Sequence, residues 1–300
     1  MKLRFAIGFV ALSLGLVGFM GGSLAAKTYN IKLSRASVVG SKYRVEGKGS
    51  YTQGMNIKMG PRTLRSKNDI YDVQYQALVT VKAIDAQKQS SVEEHKIEKF
   101  VKIQGKTTST LLAPGTVVTV SRGPNGKAQF HVGKTPVNPV VGKLLQDYSD
   151  THEPNQPTDD AMFGTSKPQK VGASWGINKA LMAKSLQKSK TMILAKDLQG
   201  QATLEGVAKK MGKDCLKIRA TLNVKRFEVP LPGGLKMHNS NMTIELFGHF
   251  PVNPNDKRVH GTKSMTMSFF ASGKTNPRAP AVSMRINMKF FVELTRTYLK

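Results

Sequence analysis

The sequence predicts a mainly β protein: long amphipathic antiparallel strands in two β-rich halves, as a curved sheet, sandwich or half-barrel, with two short helices. Three observations carry this. The first is a period of two near the end of the chain. Val282, Met284, Ile286, Met288, Phe290, Val292 and Leu294 alternate with Ser283, Arg285, Asn287, Lys289, Phe291, Glu293 and Thr295. A strand sends successive side chains to opposite faces, so alternation of this length describes one long strand with an apolar and a polar face. The second is punctuation. Met211-Gly212-Lys213-Asp214, Pro230-Leu231-Pro232-Gly233-Gly234 and Pro251-Val252-Asn253-Pro254-Asn255-Asp256 separate strand-like stretches with turn-forming residues. The third is that helical periodicity occurs in only two segments.

Residues 1–25 have the order of a secretory signal peptide. Lys2 and Arg4 supply a positive start, Phe5 to Met20 carry no charge, and Ser23-Leu24-Ala25 offers a small-x-small cleavage site after Ala25. The uncharged run is shorter than the roughly 20 apolar residues of a bilayer span, and Gly8, Gly15 and Gly18 interrupt it. A secreted or periplasmic address is expected, with no transmembrane segment in the mature chain and no lipid-modified cysteine at its start.

Residues 26–146 form the first predicted half. Tyr29–Leu33 and Tyr43–Tyr51 are strand candidates. Val73, Tyr75, Ala77, Val79 and Val81 then share one face of a strand over Asp72–Ile84, and Asp85-Ala86-Gln87-Lys88 turns it into Val92–Ile103. Val117–Ser121 and Ala128–Val132 flank Gly123-Pro124-Asn125-Gly126 as a hairpin. Val140, Val141, Leu144, Leu145 and Tyr148 mark the first helix.

Residues 144–166 contain no Lys or Arg but hold Asp147, Asp150, Glu153, Asp159 and Asp160, with Pro154 and Pro157 among them. We read 147–170 as an exposed acidic connector. A calcium loop would also use clustered carboxylates, but the spacing fits none. A third reading folds the segment onto the basic body as local counter-charge.

Residues 171–300 form the second half. Asn178–Ser189 is the second helix candidate, and Thr203–Val207 and Leu216–Val229 are strands. Met242, Ile244 and Leu246 begin another, and Met265, Met267, Phe269 and Ala271 mark the next. The lone Cys215 reads as a small core residue of a strand.

The chain carries 46 Lys and Arg against 19 acids. Cleavage after Ala25 removes Lys2 and Arg4 and no acid, so the excess stays large. Such a field gathers polyanions. An exported protein meets acidic glycans and anionic lipid head groups rather than chromosomal DNA, and evenly spread lysines also keep a protein soluble.

No chemical motif is complete. Gly172-Ala173-Ser174-Trp175-Gly176 matches a nucleophile elbow. The elbow needs a buried parallel strand before the serine, and Ser166-Lys167-Pro168-Gln169-Lys170 is polar and proline-broken. Without that strand, Trp175 is better read as a core anchor entered through a glycine turn. His238, His249 and His260 recur every eleven residues but match no metal-binding pair, and read as surface or turn histidines. Phosphate-binding glycine motifs are absent, so no nucleotide and no cofactor is expected. The methionines stand out more. Met265, Met267, Met284 and Met288, with Phe269 and Phe290, fall on apolar strand faces, and thioethers adapt to irregular partners. Two short helices cover little of such a face. It must close on a second layer or line a cavity for an apolar ligand.

Asp159-Asp160-Ala161-Met162-Phe163-Gly164, followed by Val171-Gly172-Ala173-Ser174-Trp175, resembles a family of uncharacterised secreted bacterial proteins, a domain of unknown function. Its pattern joins two β-rich halves through an acidic connector ending in Phe-Gly and a Val-Gly-x-x-Trp step. Val79-Thr80-Val81-Lys82-Ala83-Ile84-Asp85 and Ala113-Pro114-Gly115-Thr116-Val117-Val118 suit that layout. The resemblance implies a secreted β-rich fold and no catalytic residues. In architecture alone the chain is also similar to envelope lipid carriers whose curved sheet wraps an apolar cavity. The leading expectation is an exported, non-enzymatic envelope protein that binds a lipid or other amphiphile, with Met265, Met267, Met284, Met288, Phe269 and Phe290 as ligand contacts and no metal. A polyanion-binding protein with a dry core, and a serine hydrolase using Ser174, are the alternatives.

Overall fold

A computed structural model describes residues 27–299, apart from 124–125, 153–155, 188–190, 232–233, 258 and 275–279. The leader read in residues 1–25, the hairpin tip at 124–125 and the end of the second predicted helix lie outside the described residues. In chain order the strands are β1 Thr28–Tyr29, β2 Lys42–Met59, β3 Arg62–Ile84, β4 Ser90–Gln104, β5 Thr107–Leu112, β6 Val117–Arg122, β7 Ala128–Val132, β8 Thr135–Pro136, β9 Gln169–Lys170, β10 Ser174–Gly176, β11 Leu198–Lys210, β12 Lys213–Val224, β13 Lys236–Pro251, β14 His260–Gly273 and β15 Val282–Tyr298. The fold is mainly β and antiparallel, as the alternation implies. The helices are α1 Pro139–Leu145, α2 Asp159–Phe163 and α3 Lys179–Gln187.

Thirteen strands form one sheet in the order β10-β11-β12-β13-β14-β15-β2-β3-β4-β6-β7-β8, with β5 also on β4. β15 is the seam, pairing β14 on one side and, from Val282↔Met59 to Tyr298↔Tyr43, β2 on the other. The path ends at β10 and β8, which do not pair, so this sheet is open. The Met211-Gly212 turn expected between β11 and β12 is present, with both residues at positive φ (50° and 75°). That is the backbone of a two-residue hairpin.

The apolar phases of all the long strands fall on one face. Leu204 and Ile218 pair there, as do Met242 and Met267, and Met265 and Phe290; Tyr75 joins Phe100. Two buried clusters share this face. One gathers β11–β14 with α2, α3, Ile31 and Leu33. The other gathers β2–β4 and β6 with Leu144, Leu145 and Tyr148. The opposite face carries Arg44, Lys48, Lys58, Arg219, Arg285 and Lys289, all exposed. Cys215 is fully buried in β12, and burial pushes its thiol pKa up.

The sheet must curl. Ile218 of β12 and Glu93 of β4 line one cavity, yet β12 and β4 are six strand steps apart. At about 4.8 Å per step a flat sheet would separate them by nearly 30 Å.

Two expectations change. First, there is a third helix: α2 lies inside the stretch read as an exposed connector. Thr158 caps it by accepting the Ala161 N–H, and Met162 and Phe163 are buried. The counter-charge reading suits this segment better. Asp160 meets Lys32 at 2.7 Å, and Asp150 meets Arg296 at 2.9 Å. Second, the strand expected at Tyr29–Leu33 shrinks to β1, because Ile31 and Leu33 turn into the core instead of pairing.

Packing at the seam is tight enough to demand glycine. A Cβ on Gly47 would lie 2.5 Å from Tyr148 Cδ1 and 2.9 Å from Leu294 Cδ2. Gly47→Val is therefore expected to cost about 1–3 kcal/mol through overpacking, read as a lower urea midpoint. Gly54→Val is the control, because nothing lies within 3.4 Å of its Cβ position; it should leave the midpoint unchanged or higher.

Candidate functional site

A cavity of about 460 Å³ opens where the two clusters meet. Its floor is apolar: Ile218, Ala220 and Leu246 from the first cluster, Tyr43, Val292 and Leu294 from the second. Its rim is charged. Arg35, Lys257, Lys263, Arg296 and His152 face Glu93, Asp147, Asp150 and Asp159 across it. Residues 146–152 and 156–159 supply much of this rim.

Arg296 is the key side chain. It sits at an apolar phase of β15, one step beyond Leu294, and only 1% of it is exposed. Burial opposes its charge, but the Asp150 carboxylate together with Tyr43, Tyr298 and Glu93 outweighs it and holds its pKa above the ordinary value. Nη2 pairs with Asp150, while Nε and Nη1 have no hydrogen-bond partner. Arg35 donates Nη2 to the Pro251 carbonyl at 2.8 Å, and its Nε and Nη1 are likewise without partners. Lys257 has its pKa lowered by burial and by the nearby Arg35. A buried donor left unmatched is costly, and Arg35 and Arg296, which both line the cavity, each leave two such donors.

Behind Arg296 lies a buried polar chain. Tyr75 donates its hydroxyl to His95 Nδ1 at 2.5 Å, His95 Nε2 donates to Glu93 Oε2 at 3.0 Å, and Tyr43 donates to Glu93 Oε1 at 2.8 Å. The Asp150 N–H adds a fourth bond, to Glu93 Oε2 at 3.2 Å. Burial alone would raise the Glu93 pKa, yet His95, Tyr43 and the Asp150 amide bring it below its ordinary value. Burial and the Glu93 charge raise both tyrosine pKa values, so both hydroxyls stay protonated as donors.

The six residues expected to contact ligand lie on the same sheet face as the cavity, in adjacent strands. Met267 pairs Met288, Met265 pairs Phe290, Phe269 pairs Ile286 and Met284 pairs Ala271. Met284 and Phe269 are buried in the core, whereas Met265, Met267, Met288 and Phe290 are partly exposed. None of the six lines the cavity wall. The cavity takes the next residues along the same strands, Lys263 before Met265 and Val292 and Leu294 after Phe290, and Lys263 Nζ stands 5.3 Å from the Phe290 ring centre. Arg296, Arg35 and Glu93 were missed by sequence reasoning. One signal existed: Lys263 and Arg296 both break an apolar phase with a cation at the same end of their strands.

Ser174 lies within the exposed edge strand β10, its hydroxyl 2.7 Å from Thr203 Oγ1. It is not at a sharp strand-to-helix turn, so the elbow geometry is not formed. Trp175 donates Nε1–H to the Phe163 carbonyl at 2.7 Å and packs on the core, and Gly172 turns the chain before it at φ 87°. His249 and His260 are not turn residues. They are direct partners across β13 and β14, and His260 is buried. Among the described residues, no group of three or more His, Cys, Asp or Glu side chains is placed to hold a metal ion. No helix among them is long and apolar enough to cross a membrane.

No protein-family model and no curated protein matches the sequence. Among solved structures, the chain is similar to lipovitellin, studied for its lipid–protein interactions. That likeness has 8% identity and a TM-score of 0.34, and spans 88% of this chain but only 26% of lipovitellin. It is also similar to the outer membrane protein OprG from Pseudomonas aeruginosa, at 8% identity and a TM-score of 0.20, over 89% of this chain and all of that one. At these scores neither likeness carries an argument about function.

Proposed function

We propose that the chain is an exported, non-enzymatic envelope protein that holds an acidic amphiphile along the inner face of its curled sheet. One observation supports this above the others: polarity changes along two neighbouring strands. β14 runs from Lys263 to Met265 and Met267, and β15 runs from Arg296 through Leu294 and Val292 to Phe290 and Met288. An amphiphile lying parallel to the strands meets cations at one end and partly exposed methionines at the other. A cavity with an apolar floor and a few convergent polar groups is the common form of a small-molecule site.

Native mass spectrometry of the purified protein is expected to show bound lipid. A fluorescent fatty acid should bind, and Lys263→Glu should weaken it more than the alcohol of the same chain length. A protein that carries no lipid and takes up no fatty acid overturns the proposal. Equal loss for acid and alcohol removes the head-group assignment.

The outer face supports a second reading, a surface for acidic glycans or anionic membranes. Arg44, Lys48 and Lys58 of β2, Arg285 and Lys289 of β15, and Arg219 of β12 all point there. This reading predicts polyanion binding that falls steeply with added salt.

A further inference from the structure

We propose that His249 and His260 form a two-nitrogen site for a transition-metal ion on the outer face of the sheet. The two residues are direct cross-strand partners, and their Nδ1 atoms are 3.2 Å apart. Two imidazole nitrogens, each about 2.0–2.1 Å from a metal at a near-tetrahedral angle, are separated by about 3.3 Å. The gap between the rings already has the width of a metal bite.

The hydrogen bonds make the tautomers explicit. His260 Nε2 lies 3.0 Å from Glu293 Oε1. A carboxylate accepts, so in the neutral ring Nε2 carries the proton and His260 Nδ1 is bare. His249 Nδ1–H must then donate to it. A metal ion replaces that single shared proton. His249 moves its proton to Nε2, both Nδ1 lone pairs face the ion, and the net protein charge is unchanged. Glu293 meanwhile holds the far side of the His260 ring, the carboxylate–histidine–metal arrangement that fixes ligand orientation.

Burial, then His260, Lys210 and Lys217, lower the His249 pKa. Phe247 stands edge-on to His249 with ring centres 5.0 Å apart, and covers one side. His260 is buried whereas His249 is half-exposed, so the ion reaches the pair from the His249 side. With only two protein donors, water fills the other positions. Imidazole pairs suit copper, nickel and zinc, and copper(II) binds such sites most strongly of the three.

Copper(II) added to untagged full-length protein is expected to bind at one equivalent by calorimetry, with an electron paramagnetic resonance spectrum showing two equivalent imidazole nitrogens. His249→Gln and His260→Gln should each lower affinity more than tenfold. Glu293→Gln should lower it about 10–100-fold as an orienting residue. The half-exposed His249 position decides the matter if the buried His260 variant fails to fold. Absence of a one-equivalent site overturns the proposal, as does a folded His249→Gln protein that keeps the same affinity and two-nitrogen spectrum.

Discussion

Glu93→Ala is expected to remove about 3–5 kcal/mol of folding stability, the usual cost of breaking a buried charged network from one side. Glu93 is fully buried and accepts from three groups: the Tyr43 hydroxyl, the His95 ring and the Asp150 amide. Alanine leaves all three donors without an acceptor, and each orphaned buried group costs about 1–3 kcal/mol. It also removes negative charge beside the buried Arg296. Glu93→Gln keeps the shape and one acceptor, so about half the loss is expected. Urea denaturation at pH 7 measures both, and a loss under 1 kcal/mol for alanine would contradict the network's role.

The same residue sets a pH dependence. The folded pKa of Glu93 is lowered relative to the unfolded carboxyl, ordinarily about 4.3. Its ionisation therefore contributes stability that is complete above about pH 5 and is lost as pH falls through the folded value. The stability gap between the parent protein and Glu93→Ala should narrow below about pH 4. A gap that stays constant to pH 3 would show that Glu93 does not carry the charge.

Much of the fold was legible because period two is a local property. Val282 to Leu294 needed no partner to declare a strand, and Met211-Gly212 needed none to declare a turn. What was not legible depends on register and curl. His249 and His260 flank one connection, but only the pairing of β13 with β14 makes them face each other. In β4 the pattern is scrambled by a bulge. Ala77 pairs Ile97 and Gln76 pairs Lys99, so one residue of β4 is skipped and Phe100, three on from Ile97, faces the same way. Glu93 and His95 share the inward phase with Ile97, and no sequence window shows a Glu and a His as core. The third helix was hidden because five residues in an acidic, polar stretch owe their helicity to the Thr158 cap and to the burial of Met162 and Phe163. The cavity was least legible of all. It exists because strands six steps apart curl together, and curl is a property of the whole sheet.

The methionine face yields the prediction that separates binding from folding. Met265 and Met288 are partly exposed and lie diagonally across the β14–β15 pairing, each opposite another predicted contact, Phe290 and Met267. Met265→Asp with Met288→Asp should leave the fold in place, because both carboxylates can reach water when the face is empty. A bound acyl chain would cover them. Each methylene kept off the face forfeits about 0.8 kcal/mol, so four lost methylenes amount to about 3 kcal/mol, a fall in affinity of about a hundredfold. Fluorescent fatty-acid titration measures it, and an unchanged Kd would remove this face from the site. Met284 and Phe269 should behave in the opposite way. They are buried in the core, and Phe269 packs edge-on to Phe227 with ring centres 6.2 Å apart. Phe269→Ala is expected to lower stability by about 3–5 kcal/mol, while protein that remains folded keeps most of its affinity. Four of the six aligned side chains are partly exposed, where the proposed ligand would lie, and two are core, a division that the strand pattern alone could not make because it sees which face a residue points to and not what covers that face.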